Sequence, residues 1–151
     1  MIVSLADVEK AARKVSSAPE NAVRHCAWLQ ACGYPGLKLL LEAVGDAQKE
    51  LLLQSDAMGL DLENVSCVFL GPSILRYVGA HGRVYLRNVR HGLYLVPLSV
   101  EANIGIGCPV DPSFALGGER TKNPYTEKLE IAARDGVNVD DEIWHAVEAM
   151  A

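Results

Sequence analysis

Residues 105–125, GIGCPVDPSFALGGERTKNPY, combine the residue types that bind a small anion. Glycine pairs leave successive backbone N–H groups uncovered, and a concave row of such groups binds carboxylates or phosphates. An arginine in the same segment can donate two hydrogen bonds to one ligand, while a lysine adds a point charge. We therefore predict a site for a small anionic metabolite in this loop. The predicted ligand-binding residues of the loop are Gly105, Gly107, Gly117, Gly118, Arg120, Lys122 and Asn123.

The same loop contains a candidate nucleophile, Cys108. A thiol reacts as its thiolate, which nearby N–H groups or cations stabilise. The chemistry would also need a proton carrier near neutral pH, for which His91 is the leading candidate and His81 the alternative. Asp111 would orient that histidine or act as the chemical group itself. The alternative is a Cys108 with a structural role only, and the sequence leaves both interpretations open.

The glycine pattern also has a simpler interpretation, a packed turn whose charged side chains face solvent. It does not match a Walker A loop, which ends in Gly-Lys-Ser/Thr, nor a dinucleotide fingerprint, which needs three glycines between a strand and a helix. A loop of this length in a compact domain is usually functional or disordered, and its apolar residues argue against disorder. The reaction, the substrate and any cofactor are unknown from the sequence.

A second candidate surface is the stretch from 76 to 92, which carries four arginines and two histidines but no acidic residue. In a strand, Arg83, Tyr85 and Arg87 would share one face because side chains alternate. We expect Arg87 and Arg90 to help balance the charge of the bound anion. Such a face also suits RNA, and the alternative to both is the solvated face of an edge strand.

The overall charge limits the partners. The formal net charge is −5 and the sequence pI is about 5.3. Nucleic acids and anionic membranes both require a strong positive field, so neither is expected as a dominant partner. No apolar run approaches the ~20 residues that span a bilayer, and the opening MIVSLADVEK lacks the apolar core of a signal peptide. These patterns predict a soluble cytoplasmic protein, and the spacing of its cysteines and histidines predicts no metal site.

The elements that position these residues follow from periodicity. Helical spacing and capping signals predict three N-terminal helices, the third opening at Pro35 and running on towards Leu53. Residues 64–71, NVSCVFLG, are typical of a buried strand, and the next segment is a short helix from Pro72 or another strand. Residues 83–98 predict a β-hairpin whose loop places Gly92 at positive φ. Two helices close the chain, capped by Thr126 and Asp140.

These elements predict an α+β fold. It has N-terminal helices, a small antiparallel sheet with a β-hairpin, a long ordered Gly/Pro-rich loop and C-terminal helices. We expect one domain over residues 1–151. Its helical part covers about 4–54, its sheet and loop part about 62–125, and its helical tail about 126–151.

Several stretches carry a resemblance to a known family. RNVRHGLYLVP, the loop at 105–125 and DGVNVDDEIWHAVEAMA resemble a bacterial family of unknown function, domain of unknown function 3726. SLADVEKAARK and CAWLQACGYPGLKLL are similar to its opening helices. The resemblance implies no reaction, but it supports a site at residues 105–123. It also implies a Ser- and Gly-rich tail after the Trp-containing helix, which would be absent from this chain.

Together these observations predict a small cytoplasmic enzyme, or enzyme subunit, that binds a small carboxylate or phosphate metabolite at the 105–123 loop. The alternative is a non-catalytic accessory or regulatory module that docks on a partner through the hairpin edge or the last helix. RNA binding is a third interpretation. Whether the protein is an enzyme stays open. The oligomeric state stays open as well, with a homodimer as one alternative because symmetric dimers are the commonest assembly.

Overall fold

The structure is a computed structural model that describes residues 1–15, 18–46, 51–56, 59–106, 114–119 and 125–150. The chain forms two compact units. We term the first, Met1–Asp46 with Pro124–Ala151, the helical unit, and the second, Ala47–Asn123, the sheet unit. Helices together with short, largely antiparallel strands confirm the α+β class. The expectation of a single domain stays a prediction.

Helices and short strands alternate along the chain. In order, they are β1 (Ile2–Val3), α1 (Leu5–Lys14), α2 (Glu20–Ala31), α3 (Gly36–Gly45), β2 (Ser55–Asp56), β3 (Gly59–Asp61), α4 (Cys67–His81), β4 (Val84–Arg87), a 3₁₀ turn (Gly92–Tyr94), α5 (Leu95–Glu101), β5 (Ile104–Ile106), β6 (Phe114–Glu119), α6 (Thr126–Asp135), β7 (Val137–Asn138) and α7 (Asp141–Glu148).

The helical unit begins and ends its helices largely where the sequence predicts. Ser4 Oγ accepts the Asp7 N–H at 3.1 Å, and Asp140 Oδ1 accepts the Glu142 N–H at 3.0 Å, so both caps are confirmed. The prediction that the third helix runs towards Leu53 is wrong. α3 ends at Gly45 because the Asp46 N–H turns back to the Ala43 carbonyl and Asp46 is extended, and residues 51–54 are not helical.

The buried side chain of Gln30 connects three elements of this unit by hydrogen bonds. Its Oε1 accepts the Leu37 N–H at 3.0 Å, and its Nε2 donates to the Asn138 carbonyl at 3.1 Å. Gln30 therefore links α2 to the start of α3 and to β7, which pairs antiparallel with β1. The contact between α2 and α3 is close enough to require glycine, because a Cβ on Gly36 would lie 2.5 Å from the Cys26 carbonyl oxygen.

The sheet unit holds five strands in the order β2-β3-β4-β6-β5. β3 and β4 are parallel, whereas the other neighbours are antiparallel. The connection between the parallel pair is α4, so these three elements form a βαβ crossover. The strand predicted for NVSCVFLG is therefore wrong, because most of that segment is the start of α4. Ser66 caps α4, and Cys67, Leu70, Ile74 and Val78 bury one helical face against the core that contains Leu60 and Leu86.

The predicted hairpin at residues 83–98 is half right. Its first strand exists as β4, but the segment after it forms the 3₁₀ turn and α5. Pro97 falls in the first turn of α5, where its missing N–H removes no intrahelical hydrogen bond. The left-handed residue is His91 at φ 57°, not Gly92. Tyr94, Leu95 and Leu98 are buried, so core packing favours the helix.

The predicted loop at 105–125 contains secondary structure in the part that the structure describes. β5 covers its first residues and β6 covers Phe114–Glu119, so the prediction of an irregular segment is wrong there. Residues 107–113 and 120–124 lie outside the described residues. No helix within the described ranges has the length and apolarity that crossing a membrane requires.

The close approach at Gly36 can be tested with two alanine substitutions in the same helix. We expect Gly36→Ala to destabilise the protein by about 1–3 kcal/mol, because the new methyl group meets rigid α2 backbone. Gly45→Ala is the matched control, since a Cβ there meets nothing within 4 Å. The free energy of unfolding in urea is the measurement. Equal stabilities for the two variants would contradict the contact.

Candidate functional site

Several predicted site residues lie outside the described residues. They are Gly107, Cys108, Asp111, Arg120, Lys122 and Asn123. The meeting of Cys108 with His91 and Asp111 therefore stays a prediction. The remaining predicted residues, Gly105, Gly117, Gly118, Arg87, Arg90 and His91, all belong to the sheet unit.

Three of the predicted glycines come together where β5 pairs with β6. Ile104 pairs with Glu119 and Ile106 with Leu116, so one residue of β5 opposes two of β6. Gly105 is the single residue, and Gly117 and Gly118 are the two. This irregularity is a β-bulge, a feature that bends a strand and is frequent beside active sites. The glycines predicted as separate anion-binding turns thus form one side-chain-free patch of backbone.

His91 is positioned by a serine that the sequence interpretation missed. Its Nδ1 lies 2.7 Å from Ser66 Oγ, at the N-terminus of α4. The Ser66 hydroxyl also accepts the Val68 N–H at 3.2 Å, so one oxygen caps the helix and holds the imidazole. The sequence signal that could have indicated this serine as a helix cap is Ser66 followed by apolar residues at helical spacing. The serine is buried, whereas His91 is half-buried.

This pair lies beyond the carboxyl ends of the parallel strands β3 and β4. The two chain segments run on side by side, with the Leu62 N–H donating to the Arg87 carbonyl and the Cys67 N–H to the Arg90 carbonyl, both at 2.9 Å. Ligands in sheets with parallel strands bind outside such carboxyl ends. Left-handed backbone conformations concentrate in the same two segments, at Glu63, Asn64, Asn88 and His91. Backbone strain of this kind clusters at functional sites.

The N-terminus of α4 does not itself offer amides to a ligand. The N–H groups of Cys67, Val68, Phe69 and Leu70 donate to Arg90, to the Ser66 side chain and to the Ser66 carbonyl. An anion near His91 would therefore be held by side chains, not by the helix end. The glycine bulge lies towards the other end of β4, because Leu116 of β6 pairs with Val84 and the two strands are antiparallel.

The basic face predicted for a strand over residues 83–89 is present in part, because β4 covers only Val84–Arg87. Burial alternates along the strand, with Val84 and Leu86 inside. Tyr85 is 63% exposed and Arg83 is exposed, while Arg87 is half-buried. Tyr85 lies opposite Ala115 of β6, and a Cβ on Gly59 of β3 would lie 3.0 Å from the Tyr85 Cβ. The tyrosine is thus flanked by small residues on both sides.

The helical unit contains a cleft of about 550 Å³ that no sequence pattern indicated. One side is the turn between α2 and α3 together with the start of α3, and the other is the turn between β7 and α7. The buried Gln30 amide joins the two sides. Charged residues on both sides line it, and these are Lys38, Asp140 and Glu142. They are about 100 residues apart in the chain, so spacing alone carried no signal.

The three cysteines of the described chain, Cys26, Cys32 and Cys67, are buried free thiols. This agrees with the usual role of free cysteine as a small apolar residue. Burial raises the pKa of the Cys32 thiol from 9.0 to about 11, although the positive charge of Lys128 acts in the opposite direction. The Cys32 thiol therefore lacks the lowered pKa of a nucleophile. Within the described ranges, no group of three His, Cys, Asp or Glu residues could hold a metal ion.

The raised pKa of Cys32 makes stability depend on pH. The native thiol keeps its proton better than the unfolded one, so this contribution is fully present below about pH 9 and is lost towards pH 11. We expect the free energy of unfolding to fall over that range by up to about 3 kcal/mol more in the unsubstituted protein than in Cys32→Ala. Urea titrations of both proteins at several pH values measure the difference. Parallel curves would contradict the assignment.

Comparison with known proteins adds no relative. No known family's sequence model matches the chain, and neither a curated protein nor a solved structure shows significant similarity to it.

Proposed function

We propose that the chain is an enzyme, or an enzyme subunit, that binds a small carboxylate or phosphate metabolite on the sheet unit. His91 is the proton carrier of this site. The observation that carries the proposal is the 2.7 Å contact between Ser66 Oγ and His91 Nδ1 beyond the carboxyl ends of β3 and β4. The resemblance to domain of unknown function 3726 stays part of the proposal and adds no reaction.

The Ser66 hydroxyl suits a histidine that gains and loses a proton. Its oxygen has two lone pairs, and the Val68 N–H uses one of them. The second can accept the Nδ1–H of His91, which leaves Nε2 as the basic nitrogen. When Nε2 takes a proton, the bond from Nδ1–H to Ser66 persists. The ring therefore keeps its orientation through proton transfer, as a general base requires.

The charge of the ligand is balanced by cations of the same unit. Arg87 ends β4 and Arg90 precedes His91, so both belong to the segment that carries the proton carrier. Arg120 and Lys122 are the proposed partners from the loop. The bulge at Gly105, Gly117 and Gly118 supplies backbone that a ligand can approach closely, but it lies towards the amino end of β4, at the opposite end of that strand from His91.

The proposed docking module has less support. Its first surface is the edge of a predicted hairpin whose second strand is in fact a helix. Its second is the apolar face of α7, but Trp144 and Val147 are buried within the helical unit. The first surface is therefore not formed, and the second is used at least in part inside the helical unit.

Ligand-dependent stabilisation tests the proposal. Inorganic phosphate, succinate and a panel of other phosphate and carboxylate metabolites are screened by thermal unfolding. We expect one class to stabilise the protein by about 2–3 kcal/mol at a hundredfold excess over its dissociation constant. Arg120→Ala should abolish this effect and leave the unliganded fold intact. Arg134→Ala, which removes an exposed cation of the helical unit, is the matched control and should retain it.

The role of His91 is tested by ¹⁵N NMR of its ring. We expect the Nδ1-protonated tautomer near neutral pH and its loss in Ser66→Ala. A screen without a stabilising ligand, an Arg120→Ala variant that unfolds, or a tautomer unaffected by Ser66→Ala would each overturn the corresponding part of the proposal.

A second candidate function, RNA binding, is favoured by the exposure of Tyr85. Aromatic side chains on open sheets stack with unpaired bases, each stack contributing about 1–3 kcal/mol. We expect Tyr85→Ala to reduce retention on single-stranded RNA at low salt, whereas Tyr34→Ala, in the other unit, should not. Retention that is absent at low salt, or equal in the two variants, would dismiss this function.

A further inference from the structure

The cleft of the helical unit keeps opposite charges apart. Lys38 stands on the α3 side, whereas Asp140 and Glu142 stand on the α7 side. Within the described part of the chain, neither Lys38 nor Glu142 forms a salt bridge, and the Asp140 carboxylate bonds only to the two amides that it caps. A cation and two anions that do not neutralise one another can bind a ligand with complementary charges at its two ends.

The Lys38 side is suited to a carboxylate. Lys38 is exposed, so its ammonium group can turn towards a ligand. Its backbone N–H, in the first turn of α3, has no acceptor among the residues that the structure describes, whereas the Gly36 and Leu37 amides donate to the Tyr34 carbonyl and to Gln30. The positive end of the helix, the free amide and the ammonium group all favour a negative group at this end of the cleft.

The opposite side is suited to cations. Two carboxylates and one lysine line the cleft, which leaves a formal excess of one negative charge. The Met1 ammonium group beside Asn138 and Val139 does not change this balance, because it is paired with Asp141. A ligand with two cationic groups and one carboxylate has a net charge of +1 and balances that excess. The apolar side chains of Pro35, Val139 and Ile143 also line the cleft, and they suit the methylene stem of a long side chain. A volume of about 550 Å³ lies within the usual range of small-molecule sites.

We propose that this cleft binds an α-amino acid with a basic side chain. Its carboxylate is held by Lys38 and the start of α3, and its ammonium and side-chain cation are held by Asp140 and Glu142. This site belongs to the helical unit and does not depend on the anion site proposed for the sheet unit.

Titration calorimetry and ¹H–¹⁵N NMR with L-arginine test the proposal, because three relatives of this probe each lack one charge. Agmatine lacks the carboxylate, and N-acetyl-arginine lacks the ammonium group. L-citrulline has an uncharged side chain of similar shape in place of the cationic one. We expect L-arginine to shift the amide signals of the α3 and α7 starts. Each relative should bind about tenfold more weakly or worse, the effect of losing one charged hydrogen bond.

Two charge-removing variants test which side of the cleft binds which charged group of the ligand. Lys38→Gln should weaken L-arginine about tenfold but leave agmatine unchanged, and Glu142→Gln should weaken L-arginine more than L-citrulline. Lys14→Gln and Glu148→Gln remove exposed charges of the same unit outside the cleft and should have no effect. Amide spectra of the unliganded variants verify folding. No shift with L-arginine, equal binding of agmatine, or full affinity in Lys38→Gln would overturn the proposal.

Discussion

The helical unit depends on the two hydrogen bonds of one buried amide. Gln30 sits on α2, yet it satisfies the first turn of α3 and a carbonyl of β7 that follows more than 100 residues later. A buried amide without partners would cost about 1–3 kcal/mol per lost bond, so its neighbours must stay in register with it. The glycine contact between α2 and α3 has the same consequence, because no side chain separates the two backbones. The cleft lies where these constraints hold two turns beside each other.

In the sheet unit, Ser66 has a comparable role at a single oxygen. Ser66 lies between β3 and α4, and its hydroxyl caps the start of α4. The same hydroxyl contacts the ring of His91, which lies in the segment after β4. The parallel pairing of β3 and β4 makes this possible, because parallel strands bring their carboxyl ends to the same edge. An imidazole held by a group that can donate or accept is suited to proton transfer. The glycine bulge between β5 and β6 lies towards the amino end of β4, so it is not beside this imidazole.

The two units therefore offer different chemistry. The sheet unit holds a positioned histidine with two arginines on the same chain segment, and the proposed reaction of an anionic metabolite rests on this arrangement. The helical unit combines a cation and two carboxylates around a cleft, which suit recognition of a molecule with charges of both signs. For the alternative of docking on a partner, α7 buries Trp144 and Val147 within the helical unit, and the segment after β4 is a helix instead of a hairpin strand.

The sequence by itself determined the local features whose causes are local. Caps at Ser4 and Asp140, the start at Pro35, the stop at Gly136 and the alternation along β4 depend on neighbours a few residues away, and all are present. It misplaced α4 and α5, because short apolar runs fit a buried strand as well as a buried helix until the partner surface is known. Only the tertiary structure decided the Ser66–His91 contact, the meeting of Gly105 with Gly117 and Gly118, and the cleft. Each joins residues far apart in the chain, and their proximity follows from strand pairing and helix packing, which no local spacing encodes.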